Sequence, residues 1–289
     1  MTSGVASYGA LLDAVRGVRW PARRRATGAT IGAHRSRLRG NSSEFSEFRP
    51  YRQGDDPRRV DWRLLARSDR AYVRLTTDRA TTRTELLLDA SASMAFPPAT
   101  LDRWQRAREV TIGLAAVAHA EGDPVGLAIA AETPVRIPPR ARRSVIAEMI
   151  RTAECVSPTG ASALAPLLAS SRAARVAVIT DLLGDADALL ATSRLALAAG
   201  KEVVLLHLLT PEELDPPPEA QLAVDPERPT LRRSLDADGR RAYRVALDSW
   251  LDRMQVDFRG AGVRYVRAFT TEPAARIVRR VAADAPADA

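Results

Sequence analysis

The sequence predicts an α/β protein: a doubly wound, mostly parallel six-stranded sheet that follows a basic N-terminal extension. Three observations carry this. From Thr84 onward, short apolar runs alternate with segments of helical spacing, the pattern of a parallel sheet covered on both faces. The runs are continuously apolar instead of alternating with polar residues, as strands buried on both faces are. The charge is also segregated. Residues 1–84 hold 18 arginines against 8 acids, or +10, and the remainder carries −2, for a net charge of +8. With 289 residues, the chain has room for about two domains at roughly 150 residues each. It divides into an N-terminal helix and loop (1–30), an arginine-rich collar (31–83) and the α/β domain (84–289).

Residues 4–17 have the spacing of a short amphipathic helix with Leu11, Leu12 and Val15 on one side. RWPARRRATGATIGAHRSRLRG reads as loop, broken by Pro21, Gly28, Gly32 and Gly40. Residues 41–83 are polar, with strand-like pieces such as AYVRL. TELLLDA (84–90) is the first buried strand, and residues 101–122 are helical up to Gly122. PVGLAIAA (124–131) is the second strand. TPVRIPP (133–139) is an edge strand, because its prolines block further pairing. A helix over 141–155 leads to the strand ARVAVITD (174–181). A helix over 185–200 then stops at Gly200, and KEVVLLHLL (201–209) is the next strand. Three prolines at 216–218 break the alternation between Leu209 and Asp238, which reads as a surface excursion or hairpin. A long amphipathic helix (239–262), a strand (263–270) and a helix entered through Pro273 complete the chain.

Several function classes are excluded. The single cysteine, Cys155, rules out an intramolecular disulfide and fits a reducing compartment. It is read as a small buried hydrophobe, not a nucleophile. No apolar run reaches the roughly 18–20 residues of a membrane span, and no signal-peptide core is present. A soluble, cytoplasmic protein is expected. The chain uses 42 arginines and one lysine, Lys201. The basic segment therefore reflects a general preference for arginine, and with no interleaved aromatic motif nucleic-acid binding is not expected. Lys201 lacks the glycine loop of a Walker A motif, and no G-x-S-x-G elbow occurs. His34, His119 and His207 are scattered.

In a doubly wound sheet, ligands bind beyond the carboxyl ends of the strands, where the strand order reverses. Asp89, Ser91 and Ser93 follow the first strand at alternate positions, so one tight turn can aim all three into a pocket. Thr180 and Asp181 end the fourth strand, and the loop SPTGAS offers Ser162 or Thr159. Oxygen donors of this kind suit a hard cation, Mg²⁺ before Zn²⁺. The competing reading is that the serines cap the turn and the next helix, with Asp181 capping the helix after its own strand. Met94 and Phe96 are read as packing residues.

DASAS after an apolar strand, ITD after a later one and a hydroxyl-bearing loop between them resemble the metal-ion-dependent adhesion site of von Willebrand factor A-type domains. The resemblance implies Ser91 and Ser93 as direct metal ligands, Asp89 and Asp181 acting largely through water, and a partner carboxylate completing the shell. The family usually places a threonine in the loop, where GASAL offers Ser162, with Thr159 three residues earlier. From about Gly32 on, the chain also resembles the bacterial domain of unknown function 58. That likeness rests on Gly40, Glu44-Phe45, Arg49-Pro50-Tyr51, Gly54-Asp55-Asp56, Arg58, Asp61-Trp62, Ala66-Arg67, Tyr72-Val73-Arg74 and then DASASM. Members are often encoded beside MoxR-type AAA+ ATPases, and many carry N-terminal membrane helices. No such helix is read in this sequence, so a soluble variant is implied. Because no general base or nucleophile accompanies the metal set, the expectation is a non-enzymatic, metal-dependent adaptor for such an ATPase or its client in protein or complex assembly or activation. The alternative is a Mg²⁺-dependent phosphoryl or nucleic-acid hydrolase using Asp89 and Asp181. An aspartyl-phosphate phosphatase would want a second acid where Ser91 stands.

The stretch FRPYRQGDDPRRVDW is read as a structured collar or partner contact, through Arg49, Tyr51, Gly54, Asp55, Asp56, Arg58, Asp61, Trp62 and Arg67. Asp56-Pro57 has the form of an N-cap with proline at the first helical position. A helix over RRVDWRLLARS would then turn Trp62 and Leu65 inward.

Overall fold

A computed structural model describes residues 3–21, 44–53, 57, 60–68, 70–77, 81–161, 163–217, 220–226 and 230–283. The chain forms two compact units, one from residues 1–29 and 82–289 and the other from residues 30–81.

In the smaller unit, β1 (Glu44–Pro50) pairs antiparallel with β2 (Tyr72–Thr77), with a bulge between Phe45 and Glu47. Val60 bridges Val73. The helix here, α2, spans Trp62–Ser68 and begins later than the sequence suggests. Its cap is Asp61, whose Oδ1 accepts from the Arg63 and Leu64 amides, both at 3.0 Å. The extended Val60 bridge prevents an earlier start. Trp62 is 62% exposed, so it does not pack inward as expected, because the first turn of α2 faces solvent. Tyr51 is exposed, Arg49 is half-buried and Arg67 lies in the exposed last turn of α2. Gly54, Asp55, Asp56 and Arg58 lie outside the described residues.

The larger unit is built on a six-stranded sheet of β3 (Thr84–Asp89), β4 (Val125–Ala130), β5 (Val135–Arg140), β6 (Arg175–Thr180), β7 (Glu202–Leu209) and β10 (Arg264–Phe269). Their order is β10-β7-β6-β3-β4-β5, parallel except for the antiparallel edge strand β5. The chain runs outward from β3 on one side, then returns to lay β6 against β3 on the other. The strand order therefore reverses between β3 and β6.

Alternate strand residues feed two cores, as the pleat requires. Leu86 and Leu88 meet a layer formed by α1 (Ser3–Ala14), α3 (Asp102–Ala120), α4 (Val145–Glu154) and α9 (Ala274–Ala282). Leu87 faces α5 (Leu164–Ser170), α6 (Ala186–Ala198) and α8 (Ala237–Gly260). The N-terminal segment is part of the first layer, with Tyr8, Val15 and Trp20 buried in it. Gly126 marks a close approach, since a Cβ there would lie 2.7 Å from the Ile137 carbonyl oxygen. This is where the β4–β5 register shifts.

Buried charges are paired at the amino ends of the strands. Glu85 is fully buried and receives both Arg136 Nε (2.7 Å) and Nη2 (2.8 Å), together with the Ser171 hydroxyl (2.5 Å). Arg175, also fully buried, lies over the Trp20 ring at 4.5 Å, with its Nε 3.3 Å from Glu202 Oε2 and its Nη1 3.6 Å from Asp123 Oδ2. Between β7 and α8, the excursion holds the short helix α7 (Pro211–Leu214) and a hairpin of β8 (Leu222–Val224) and β9 (Arg232–Ser234). Cys155, at the end of α4, is exposed and not the buried hydrophobe expected, because α4 ends there and the side chain lies beyond its packed face.

Candidate functional site

The carboxyl ends of β3 and β6 lie side by side at the reversal point, so Asp89 and the Thr180–Asp181 pair come together. Asp89, Ser91, Ser93, Thr180 and Asp181 are all buried. Asp89 Oδ1 accepts from the Ser91 amide at 2.9 Å, which folds the turn, and Oδ2 accepts from the Thr180 hydroxyl at 2.6 Å. Ser91 Oγ and Ser93 Oγ are 2.9 Å apart. A 3-10 turn over Ala92–Ala95 follows, with Ser91 in the cap position but its side chain giving no capping bond. The hydroxyls thus face each other and not the backbone. The loop from Ser157 is stitched to this turn by two backbone bonds, Thr159 N to Ala90 O (2.9 Å) and Ala92 N to Gly160 O (2.8 Å). The Thr159 side chain is exposed. Ser162 lies outside the described residues.

Asp181 has a partner that the sequence did not disclose. Arg103, in the first turn of α3, is 1% exposed, and its Nη1 lies 2.5 Å from Asp181 Oδ2 and 2.8 Å from the Ser93 carbonyl oxygen. Its Nη2 pairs with Glu213, and its guanidinium lies 5.4 Å from the Phe96 ring centre. Asp181 Oδ1 accepts from the Leu183 amide at 3.1 Å, while the cap of α6 is Asp185. Glu213 in turn accepts from the Thr210 amide (2.9 Å) and hydroxyl (3.1 Å) in the capping box of α7. The Tyr243 hydroxyl donates to the Glu213 carbonyl at 2.8 Å; burial, and then the Glu213 charge, push its pKa up to about 12. One arginine therefore joins the turn after β3, the end of β6 and the excursion after β7. The only cue in the sequence was its position, since a cation in the first turn of a helix opposes the helix dipole.

Two leucines adopt left-handed backbone around the site: Leu101 (φ 54°) ahead of α3 and Leu182 (φ 59°) after Asp181. Such conformations cost of order 1–3 kcal/mol each and persist where surrounding contacts enforce them. Leu101 turns the chain so that Arg103 enters the site, and the Leu182 amide bonds Thr180 Oγ1 at 3.0 Å. A cleft of about 470 Å³ opens beside Leu182, with Asp89 and Thr180 among its lining and walls that include Leu164, Pro166 and Leu189.

His207 on β7 pairs in register with Thr180 and is fully buried, with Nδ1 2.5 Å from the Tyr265 hydroxyl. Burial, then the charges of Arg267 and Arg103, push its pKa down to about 3. The folded value lies below the unfolded one, so the neutral ring contributes its full stability above pH ~6.5 and loses it as pH falls toward 3. Within that window the group should make unfolding easier by about 1.4 kcal/mol per pH unit. Urea titrations at several pH values should show a shallower acid slope in His207→Gln; identical slopes would mean that His207 is not held neutral.

The oxygen donors also bear on a hard cation. Around Mg²⁺, ligands at about 2.0–2.1 Å place neighbouring oxygens roughly 2.9 Å apart. The Ser91–Ser93 separation matches that edge, and their mutual hydrogen bond is what an ion would replace. Asp181 fits less well, with Oδ2 already held by Arg103. Among the described residues no three His, Cys, Asp or Glu side chains cluster as a metal site, so any such site leans on hydroxyls.

The fold and this strand-end group define an α/β protein with a buried acid-and-hydroxyl site at the switch point of a mostly parallel sheet. The chain belongs to the family described as protein of unknown function DUF58, whose model matches residues 47–251. The uncharacterized protein Rv1480 of Mycobacterium tuberculosis is 27% identical over 237 residues, spanning 79% of this chain and 74% of that protein; Mb1516 of Mycobacterium bovis matches to the same extent. Among solved structures, the conserved hypothetical protein BatB of Bacteroides thetaiotaomicron aligns with a TM-score of 0.43 and 17% identity, over 69% of this chain and 96% of that one. An aerotolerance-related membrane protein of Bacteroides fragilis aligns with 0.44 and 16%, at the same coverage. No helix among the described residues of the present chain is long and apolar enough to cross a membrane.

Proposed function

We propose that this chain is a non-enzymatic, von Willebrand factor A-like adaptor. In this reading it docks a protein partner in the cytoplasm through a hard divalent cation, Mg²⁺ first, held by Ser91 and Ser93 beside Asp89, with Thr159 or Ser162 from the neighbouring loop. The observation that carries this is the buried Ser91–Ser93 pair at 2.9 Å, with Asp89 shaping the turn between them. A bound ion would supply an open coordination position for a carboxylate of the partner. The chain's own residues do the rest: Thr180 fixes the Asp89 carboxylate, and the loop bonds to Ala90 and Ala92 hold the turn. The adjoining cleft gives room for aliphatic residues flanking the partner's acid. The resemblance described above points to a MoxR-type AAA+ ATPase or its client as that partner.

A binding role is favoured over hydrolysis by the groups beside the site. His207 is buried and neutral, and Asp181 is held by a guanidinium, so neither is poised to take a proton from water. Capture of a MoxR-type ATPase by the full chain should be lost in EDTA and in Ser91→Ala; unchanged capture would sink the reading. A phosphatase and nuclease screen with Mg²⁺ or Mn²⁺ tests the opposing class. Turnover abolished by Asp89→Ala would establish the hydrolase instead.

A further inference from the structure

We propose that Arg103 is the built-in cation of this site: it satisfies Asp181 permanently, so a divalent ion is held by Ser91 and Ser93 beside Asp89, without Asp181. The inference rests on the cation reading of the serine pair only for its second half. Its first half stands on the Arg103 contacts alone.

Both partners are removed from water, with side-chain exposures of 1% and 0%, and the Nη1–Oδ2 distance is 2.5 Å. The same Nη1 holds the Ser93 carbonyl oxygen, so the cation is bonded to the backbone of the hydroxyl turn itself. Its other arm meets Glu213. The guanidinium is part of the chain, so Asp181 is balanced whether or not an ion is bound. A divalent ion drawing Asp181 into its own shell would have to pull the carboxylate off a buried guanidinium that is also shared with Glu213. Leaving that guanidinium underpaired in a dry site is costly. Two unfavourable local features converge on the same arrangement, the cation in the first turn of α3 and the left-handed Leu101 that aims it. Both are explained if the position of the guanidinium is what the turn exists to secure.

The consequence is a division of labour. The serine side of the site can gain and lose a cation, while the Asp181 side stays closed and remains tied through Glu213 to α7. The experiment is Mn²⁺ binding to the full chain, by titration calorimetry or electron paramagnetic resonance, with thermal unfolding in EDTA and in Mg²⁺. Ser91→Ala should weaken Mn²⁺ at least about tenfold, as loss of a ligand does, while Asp181→Asn should stay within about threefold of wild type. Arg103→Gln frees the carboxylate and removes a neighbouring positive charge, so Mn²⁺ should bind about tenfold more tightly. The drop in Tm caused by Asp181→Asn should be the same in EDTA as in Mg²⁺. A tenfold loss of Mn²⁺ in Asp181→Asn, unchanged or weaker binding in Arg103→Gln, or a Tm penalty that disappears in EDTA would each overturn the proposal. If wild type takes up no Mn²⁺, the metal-dependent docking reading fails. The Arg103 assignment is then decided by the Asp181→Asn penalty in EDTA and its retention of most stability in Arg103→Lys.

Discussion

Arg103→Met should destabilise the protein by about 3–5 kcal/mol, the cost of stripping a buried ion pair of one partner. For a domain of this size that is a fall in Tm of roughly 6–20 °C. The loss is large because three acceptors are abandoned together: Asp181, Glu213 and the Ser93 carbonyl. The methionine can still cover Phe96, so the lost charge dominates the effect over lost packing. Adding Asp181→Asn should return part of the loss, because it removes the stranded carboxylate. Urea and thermal unfolding of the two single variants and the double give the coupling directly. A single-variant loss under about 1 kcal/mol, the range of exposed pairs, would mean that water reaches the pair.

Arg175→Met should have a comparable effect at the opposite end of the sheet, again about 3–5 kcal/mol. Arg175 is the fully buried counter-ion of Glu202 and Asp123, and its guanidinium lies over Trp20. Here the variant carries a second signature. Trp20 is 1% exposed and anchors the segment after α1, so its fluorescence should shift to longer wavelength. Amide exchange over residues 3–20 should rise at the same time. An unchanged Trp20 environment would show that the segment is held without the Arg175 contact.

Much of the fold is legible in the sequence because of burial on both faces. TELLLD, VGLAIA and RVAVIT are buried at every position, so their apolar continuity survives whatever packs against them. The acid-and-hydroxyl turn is legible for a related reason. A parallel sheet dictates where ligand-facing residues fall, so Asp89, Ser91, Ser93 and Asp181 stand out by position alone. What stays hidden depends on distant neighbours. α5 has seven residues, too few for a periodic signal. The start of α2 at Asp61 follows the Val60 bridge to Val73, which no local rule contains. Arg103 is one of 42 arginines, and its role requires Asp181 and Glu213, 78 and 110 positions further on. His207 reads as part of an apolar run, and its partner Tyr265 lies on another strand.

The packing of α1 has a consequence for how the chain is made. α1 lies against α3, α4 and α9, and the Arg279 guanidinium donates to the Ala14 carbonyl across 265 positions of sequence. During synthesis α1 leaves the ribosome first among these elements and α9 last. Residues 30–81 can complete their own contacts in the meantime, as units made early tend to do. Tyr8, Val15 and Trp20 instead travel with the nascent chain, their apolar surface uncovered, until α9 arrives. Contacts so far apart in sequence form slowly, and that interval is when a chain is most open to chaperones and to aggregation. Of these four helices, α1 is made earliest and is among the last to be secured.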